Sequence, residues 1–303
     1  MDRKIIISIF VVTNFVTMMN KRSFFWGSLA ALGGLIIPWR KLQAEESSTE
    51  GLQIGFNYIP KIEKNTTMQT VFHPANSRGK VNHGWLNSNH TFSFANYYNP
   101  NRMNFGVLRV LNDDIITGGS GFGTHPHQNM EIISIPIYGA LAHKDSMGNS
   151  SVIKSNEIQV MSAGSGVQHS EFNASGTDDA NFLQIWVFPN KKNVVPRYDQ
   201  QELKINEKPN EFHQILSPHE NDPGVWIHQD AWFSLGKFTK ATKQNYKLHK
   251  SGNGVYVFVI EGEVKINNQI LQKRDGLGMW DSNEMDIDIQ ANSNVLLMEV
   301  PMQ

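Results

Sequence analysis

Residues 118–139 read GGSGFGTHPHQNMEIISIPIYG. Glycines at 119, 121 and 123 punctuate the chain. The Ile-rich run Met130–Ile137 that follows is too short for a typical helix and reads as a strand. Between them His125-Pro126-His127 sets two imidazoles at i and i+2, which on an extended chain share one face. Similar short apolar runs lie on either side, at Phe105–Leu111, Glu157–Met161 and Phe182–Phe188. They are separated by Gly, Asn and Asp, and no long stretch keeps a 3.6-residue period. A second strand-rich block begins near Val225 and includes Ala231–Phe238, Gly254–Ile260, Glu263–Ile266 and Val295–Val300. This spacing predicts an all-β chain folded as two tandem β-barrels. The first spans residues 66–200, the second residues 225–303, and a polar connection carrying Pro209, Pro218 and Pro223 covers 201–224.

The chain has 303 residues, ample for two domains, and its 40% hydrophobic and 18% charged content suits a globular body. A net charge of −1 with no basic stripe speaks against nucleic acid as a partner. Cysteine is absent, so any metal must sit on His, Asp or Glu.

Residues 1–44 have a different character. The apolar runs Ile5–Met18 and Phe24–Pro38 are each short for a membrane span. Basic Lys21-Arg22, the apolar residues 24–32 and the small Ala44 before Glu45-Glu46 have the layout of an export signal, with Met1 or Met19 as its start. Lys21-Arg22-Ser23-Phe24-Phe25 resembles a twin-arginine signal with Lys in the first place. The segment therefore predicts export to the periplasm; a retained membrane anchor or a cytoplasmic protein are the alternatives. Residues 45–65 read as a linker. Cleavage after Ala44 would remove six basic residues and one acidic residue, Asp2, leaving an acidic body suited to small molecules rather than polyanions.

His169-Ser170-Glu171 repeats the i, i+2 device later in the first barrel, beside Gly164 and Gly166. A lone His in a strand is ordinarily a surface or hydrogen-bonded core residue, and His-x-His by itself weighs little. Two such devices in one domain, each flanked by glycine-rich turns, are hard to explain as packing. They predict one divalent transition metal on His125, His127, His169 and Glu171, a sulfur-free set that suits iron, manganese, nickel, copper or zinc.

The stretches GFGTHPHQNMEI, HKDSMGN, MSAGSGVQHSEFN and QIWVFPNKKNVVPRYDQ closely resemble the pirin family of bicupins, as does NHGWLNSNHTFSFANYYNP upstream. The likeness runs from about Val81 to the C-terminus. It implies two jelly-roll cupin barrels and places the family's four iron ligands on His125, His127, His169 and Glu171, with Fe(2+) as the metal. Glu131 stands at the general cupin ligand position, Gly119-x5-His125-x-His127-x3-Glu131, yet is not a ligand in pirins; it is expected to hydrogen-bond in or beside the site. The second barrel offers only His249 in the matching region, so no metal is expected there.

The resemblance further implies a dioxygenase like the bacterial pirins similar to quercetin 2,3-dioxygenase. A flavonol or related aromatic would be the substrate and dioxygen the co-substrate, with ring opening and loss of carbon monoxide. Glu171 and Glu131 are the candidate catalytic bases. Trp85, Phe92, Phe94 and Tyr97 are candidates for a substrate pocket or for plain core, and His83, His90 and His143 read as loop anchors. Arg197-Tyr198 reads as structural. The protein is expected to act as a monomer and to meet a membrane only through its N-terminal segment. The alternatives are a non-catalytic iron-binding protein that regulates a protein partner, and an envelope metal-binding protein without catalysis.

Overall fold

The structure, a computed structural model, describes residues 68–302. The export-signal and linker readings of residues 1–65 lie outside the described residues. Among the described residues, no helix is long and apolar enough to cross a membrane.

The regular structure of the described chain is nearly all strand. Its first half carries β1 (Gln69–His73), β2 (Gly79–Asn82), β3 (Leu86–His90), β4 (Leu108–Ile116), β5 (Gly121–His127), β6 (Glu131–Tyr138), β7 (Ala140–Asp145), β8 (Ser150–Lys154), β9 (Glu157–Ser162), β10 (Val167–Asn173), β11 (Ala180–Val187) and β12 (Arg197–Glu202). The second half carries β13 (Phe212–Ser217), β14 (Val225–Trp226), β15 (Trp232–Phe238), β16 (Thr242–Lys247), β17 (Asn253–Glu261), β18 (Glu263–Ile266), β19 (Gln269–Gln272), β20 (Gly276–Trp280), β21 (Glu284–Ile289) and β22 (Ser293–Pro301).

Each barrel is a seven-stranded sheet folded over a four-stranded one. In the first, β12-β9-β6-β11-β4-β3-β2 faces β5-β10-β7-β8. In the second, β1-β20-β17-β22-β15-β13-β14 faces β16-β21-β18-β19. Two segments depart from the expected boundaries. Strand β1 pairs antiparallel with β20, so the start of the segment assigned to the first barrel closes the sheet of the second. Strand β13, inside the stretch read as a connection, pairs with β15.

The two large sheets pack back to back. One apolar cluster draws on both, joining Leu111, Ile133, Val160 and Ile185 to Leu216, Phe233, Phe258 and Met298. Central strands such as β6, β11, β17 and β22 are therefore buried on both faces, which is why they read as nearly continuous apolar runs rather than alternating ones.

The two interiors differ. The second barrel is filled by one cluster that includes Phe238, Val257, Val264, Leu271, Met285 and Ile287. The first holds two small separate clusters, one around Leu86, Ile116, Leu141 and Phe182, the other around Ile132, Met161 and Val167. The first barrel also buries polar side chains, among them Ser134, His143, His169, Glu171 and Gln184. Gly139 closes the turn from β6 to β7 at φ 72°, and a side chain there would strike Ala180 backbone at 2.8 Å.

Candidate metal centre

His125 and His127 lie on β5, and His169 and Glu171 on β10. The two strands pair antiparallel with His169 directly opposite His125. The register then slips: Glu171 faces Phe122, so the two steps from His169 to Glu171 answer three on β5. The extra residue falls at Gly123–Thr124, a bulge of the kind that re-aims neighbouring side chains. Its carbonyl has a direct use, because His125 Nδ1 donates to Gly123 O at 2.8 Å. That bond fixes the tautomer and leaves Nε2 with its lone pair free for a metal.

The three imidazole rings converge, with centroids 4.9 Å apart for His125–His127, 4.4 Å for His125–His169 and 4.9 Å for His127–His169. His169 is 1% exposed, and neither of its ring nitrogens has a hydrogen-bond partner among the described residues. Buried polar atoms are ordinarily satisfied, so this orphan pair marks a place where a ligand belongs. The donor atoms of His125, His127 and His169 lie within 4.8 Å of one another, as a shared metal requires. Glu171 joins His169 and His143 in a second, overlapping group. Its carboxylate is held by Ser134 Oγ at 3.0 Å and Gln184 Nε2 at 2.8 Å. The residues present fit a divalent metal: three neutral imidazoles in reach of one another, and a carboxylate on the same strand as the deepest of them.

Electrostatics favour that state. Burial, then neighbouring imidazoles, lower His127 to about 3 and His169 to about 2, and burial lowers His125 as well. Burial also pushes Glu171 up to about 7 against its two hydrogen bonds. In the metal-free protein Glu171 thus keeps its proton below about pH 7, while burial favours the neutral form of the imidazoles. Metal entry must expel that single proton. Nickel affinity is therefore expected to fall about tenfold per pH unit below 7 and to level off above it. Chelator competition between pH 5.5 and 8 measures the slope, and Glu171→Gln should flatten it.

Glu131 is not in this site. Opposed residues in paired strands share a face, and Ser134 opposes Gln184 while Glu131 opposes Val187. Ser134 and Gln184 hold Glu171, so Glu131 points the other way, toward the second barrel. There it accepts from Ser162 Oγ at 2.6 Å, and burial raises it to about 7. The expectation that Glu131 is a base beside the metal is corrected accordingly. His143 also departs from its reading as a turn anchor. Asp145 anchors the turn, accepting from the backbone of Met147 and Asn149. His143 points inward, its ring 5.4 Å from that of His169.

A cavity of about 360 Å³ opens on the imidazoles. Trp85, Phe94, Phe122 and Trp186 form its apolar walls, with the Trp186 ring 4.9 Å from His127 and 5.2 Å from Phe94. Asn112, Asp114, Gln184 and Glu171 supply its polar side. Of the four aromatic candidates, Trp85 and Phe94 line the cavity. Phe92 belongs to the core between the barrels, and the Tyr97 ring covers Gly79. Sequence reasoning missed Asn112, Asp114, Gln184, Phe122 and Trp186. For Asn112 and Asp114 the available signal was a pair of polar residues two apart, which share one face of a strand.

In the second barrel His249 is engaged in structure. It stacks on Trp232 with centroids 5.1 Å apart, and its Nδ1 lies 2.9 Å from the buried Glu299. Glu299 also accepts from Tyr246 OH, Asn253 Nδ2 and two backbone amides.

Residues 71–187 match the pirin family, and residues 214–300 match the quercetinase C-terminal cupin domain. The chain is 41% identical over 227 residues to a quercetin 2,3-dioxygenase of Escherichia coli strain K12, covering 75% of this chain and 96% of that one. The chain belongs to the pirin family. A pirin-like protein of Caulobacter vibrioides is 36% identical over 228 residues, covering 75% of this pirin and 97% of its relative. The crystal structure of the bacterial pirin YhhW from Escherichia coli, in complex with nickel(II), superposes with a TM-score of 0.73 at 40% identity, over 78% of this chain and all of that one. The two-cupin architecture and the metal-binding character of the His-rich barrel are those of the family.

Proposed function

We propose that this pirin is a metal-dependent dioxygenase acting on a flavonol such as quercetin or a related hydroxylated aromatic. The observation that carries the reading is the meeting of three neutral imidazoles and a buried carboxyl with an aromatic-walled cavity of about 360 Å³. That volume suits a small multi-ring molecule. The relatives named quercetin 2,3-dioxygenase support the same substrate class.

A divalent metal, iron by preference, held by His125, His127, His169 and Glu171 would supply Lewis acidity toward a phenolic oxygen and a site for dioxygen. The protein's part is positioning and proton handling. Gly123 holds the His125 ring, and the bulge at Gly123–Thr124 sets it against His169. Trp186 and Phe94, edge to face, shape a slot for a flat ring and exclude water from it. Glu171 could take the hydroxyl proton of the bound phenol if a carboxylate oxygen swings off the metal, with Ser134 and Gln184 holding the carboxyl in place.

The test is bleaching of quercetin with oxygen uptake and carbon monoxide release, comparing metal-loaded and metal-free protein. Metal-dependent bleaching supports the reading, and full metal occupancy without bleaching of any flavonol overturns it. Glu171→Gln is expected to cut turnover at least a hundredfold; wild-type rates in that variant would remove Glu171 from the chemistry. We further propose that residues 1–44 direct export to the periplasm, which cell fractionation of the full chain would check.

A further inference from the structure

We propose that Asn112 and Asp114 form a second recognition point in the metal cavity, which binds a hydroxyl group on the far part of the substrate and so selects polyhydroxylated over singly hydroxylated rings. The inference rests on the flavonol reading above and deepens it.

Both residues sit on β4 two apart, on the strand face that also carries Val110 and Ile116. They oppose Gln184 and Phe182 on β11, which places them on the barrel's inner face. Asn112 is 2% exposed, lines the cavity, and its Oδ1 has no hydrogen-bond partner among the described residues. An orphaned acceptor in a cavity wall costs stability unless something in the cavity pairs with it. Asp114 also lines the cavity. Its Oδ1 accepts from Ser88 Oγ, which fixes the carboxyl and leaves Oδ2 without a protein donor among the described residues. The contrast with Asp113 next to it is informative. Asp113 faces the other barrel and is paired with Arg78 and Arg274, whereas among the described residues no cation pairs with Asp114. Asp114 Oδ2 and Asn112 Oδ1 are two acceptors in the same cavity. The two side chains therefore present a fixed hydrogen-bonding pair, within one cavity with the imidazoles but on a different strand. A flat substrate anchored at the metal by one hydroxyl and its adjacent carbonyl would reach this pair only with a further polar group.

The test is anaerobic binding to nickel-loaded protein, read by quenching of tryptophan fluorescence. Two probes are compared: quercetin, and 3-hydroxyflavone, which keeps the chelating hydroxyl and carbonyl but lacks the other hydroxyls. Wild type is expected to prefer quercetin about tenfold or more, the worth of one buried polar pair. Asp114→Asn and, separately, Asn112→Leu are expected to lower quercetin affinity by about that factor and to leave 3-hydroxyflavone binding unchanged. Asn112→Leu removes an unsatisfied atom, so its melting temperature should hold or rise, which keeps the test open if Asp114→Asn folds poorly. Equal losses for both probes, or no loss for quercetin, would overturn the subsite alone. Failure of nickel-loaded wild type to bind either probe would overturn the flavonol reading and the subsite with it.

Discussion

Replacing His169 with alanine is expected to abolish the stabilisation that nickel confers. His169 is the inner member of the imidazole group, opposite His125 in the strand pairing and buried to 1% exposure. It is also common to both donor groups, the three imidazoles and the set with His143 and Glu171. Its loss leaves two half-buried imidazoles on one strand and a carboxylate already engaged by Ser134 and Gln184. A ligand at 100 times its dissociation constant stabilises by about 2.7 kcal/mol. For a body of this size that is a rise in melting temperature of roughly 5–10 °C. Wild type should show this rise and His169→Ala should not. The metal-free variant should melt within a few degrees of metal-free wild type, because no hydrogen bond to the ring is lost. Differential scanning fluorimetry with and without nickel reads both quantities. An undiminished nickel shift in the variant would place the metal on other residues.

What could be read in the chain was what local periodicity determines. The pairs His125/His127 and His169/Glu171 are legible because side chains two apart on a strand share a face whatever the strand's partners are. Glu131 shows where that logic stops. It stands four residues after His127, but between them Gln128–Met130 turn, with Asn129 at φ 50°, and the chain leaves the small sheet for the large one. The face count restarts across such a turn, so sequence spacing from His127 says nothing about where Glu131 points. Asn112 and Asp114 were hidden for a related reason. Their approach to Gln184 and Glu171 depends on β4 pairing with β11 across some seventy residues of chain, and register at that distance follows from the whole barrel. The placement of β1 against β20 is of the same kind: a five-residue strand has no local mark of which barrel it will close.

Asp113→Ala is expected to be among the most destabilising single changes away from the metal. Asp113 lies between the barrels, 6% exposed, and answers two cations: Arg78 Nη1 at 3.3 Å and, from the second barrel, Arg274 Nε at 3.4 Å. Its other oxygen accepts from Asn181 Nδ2 at 2.9 Å. Both guanidiniums are enclosed, and burial already lowers the pKa of Arg78 despite this carboxylate. Arg274 Nη1 is itself buried without a partner among the described residues, so the cluster has no spare acceptor there to take over. Removing one member of a buried ion cluster leaves uncompensated charge and costs about 3–5 kcal/mol, well above the median for an exposed pair. For a body of this size that lowers the melting temperature by on the order of 10 °C. Unfolding should remain one transition, because the apolar cluster between the large sheets still ties the barrels together. Asp113→Asn separates charge from hydrogen bonding: it keeps the shape and an acceptor, and should recover only part of the loss. Urea denaturation of the three proteins measures the series. A loss under about 1 kcal/mol for Asp113→Ala would mean that water reaches the guanidiniums and that the clamp between the barrels is apolar alone.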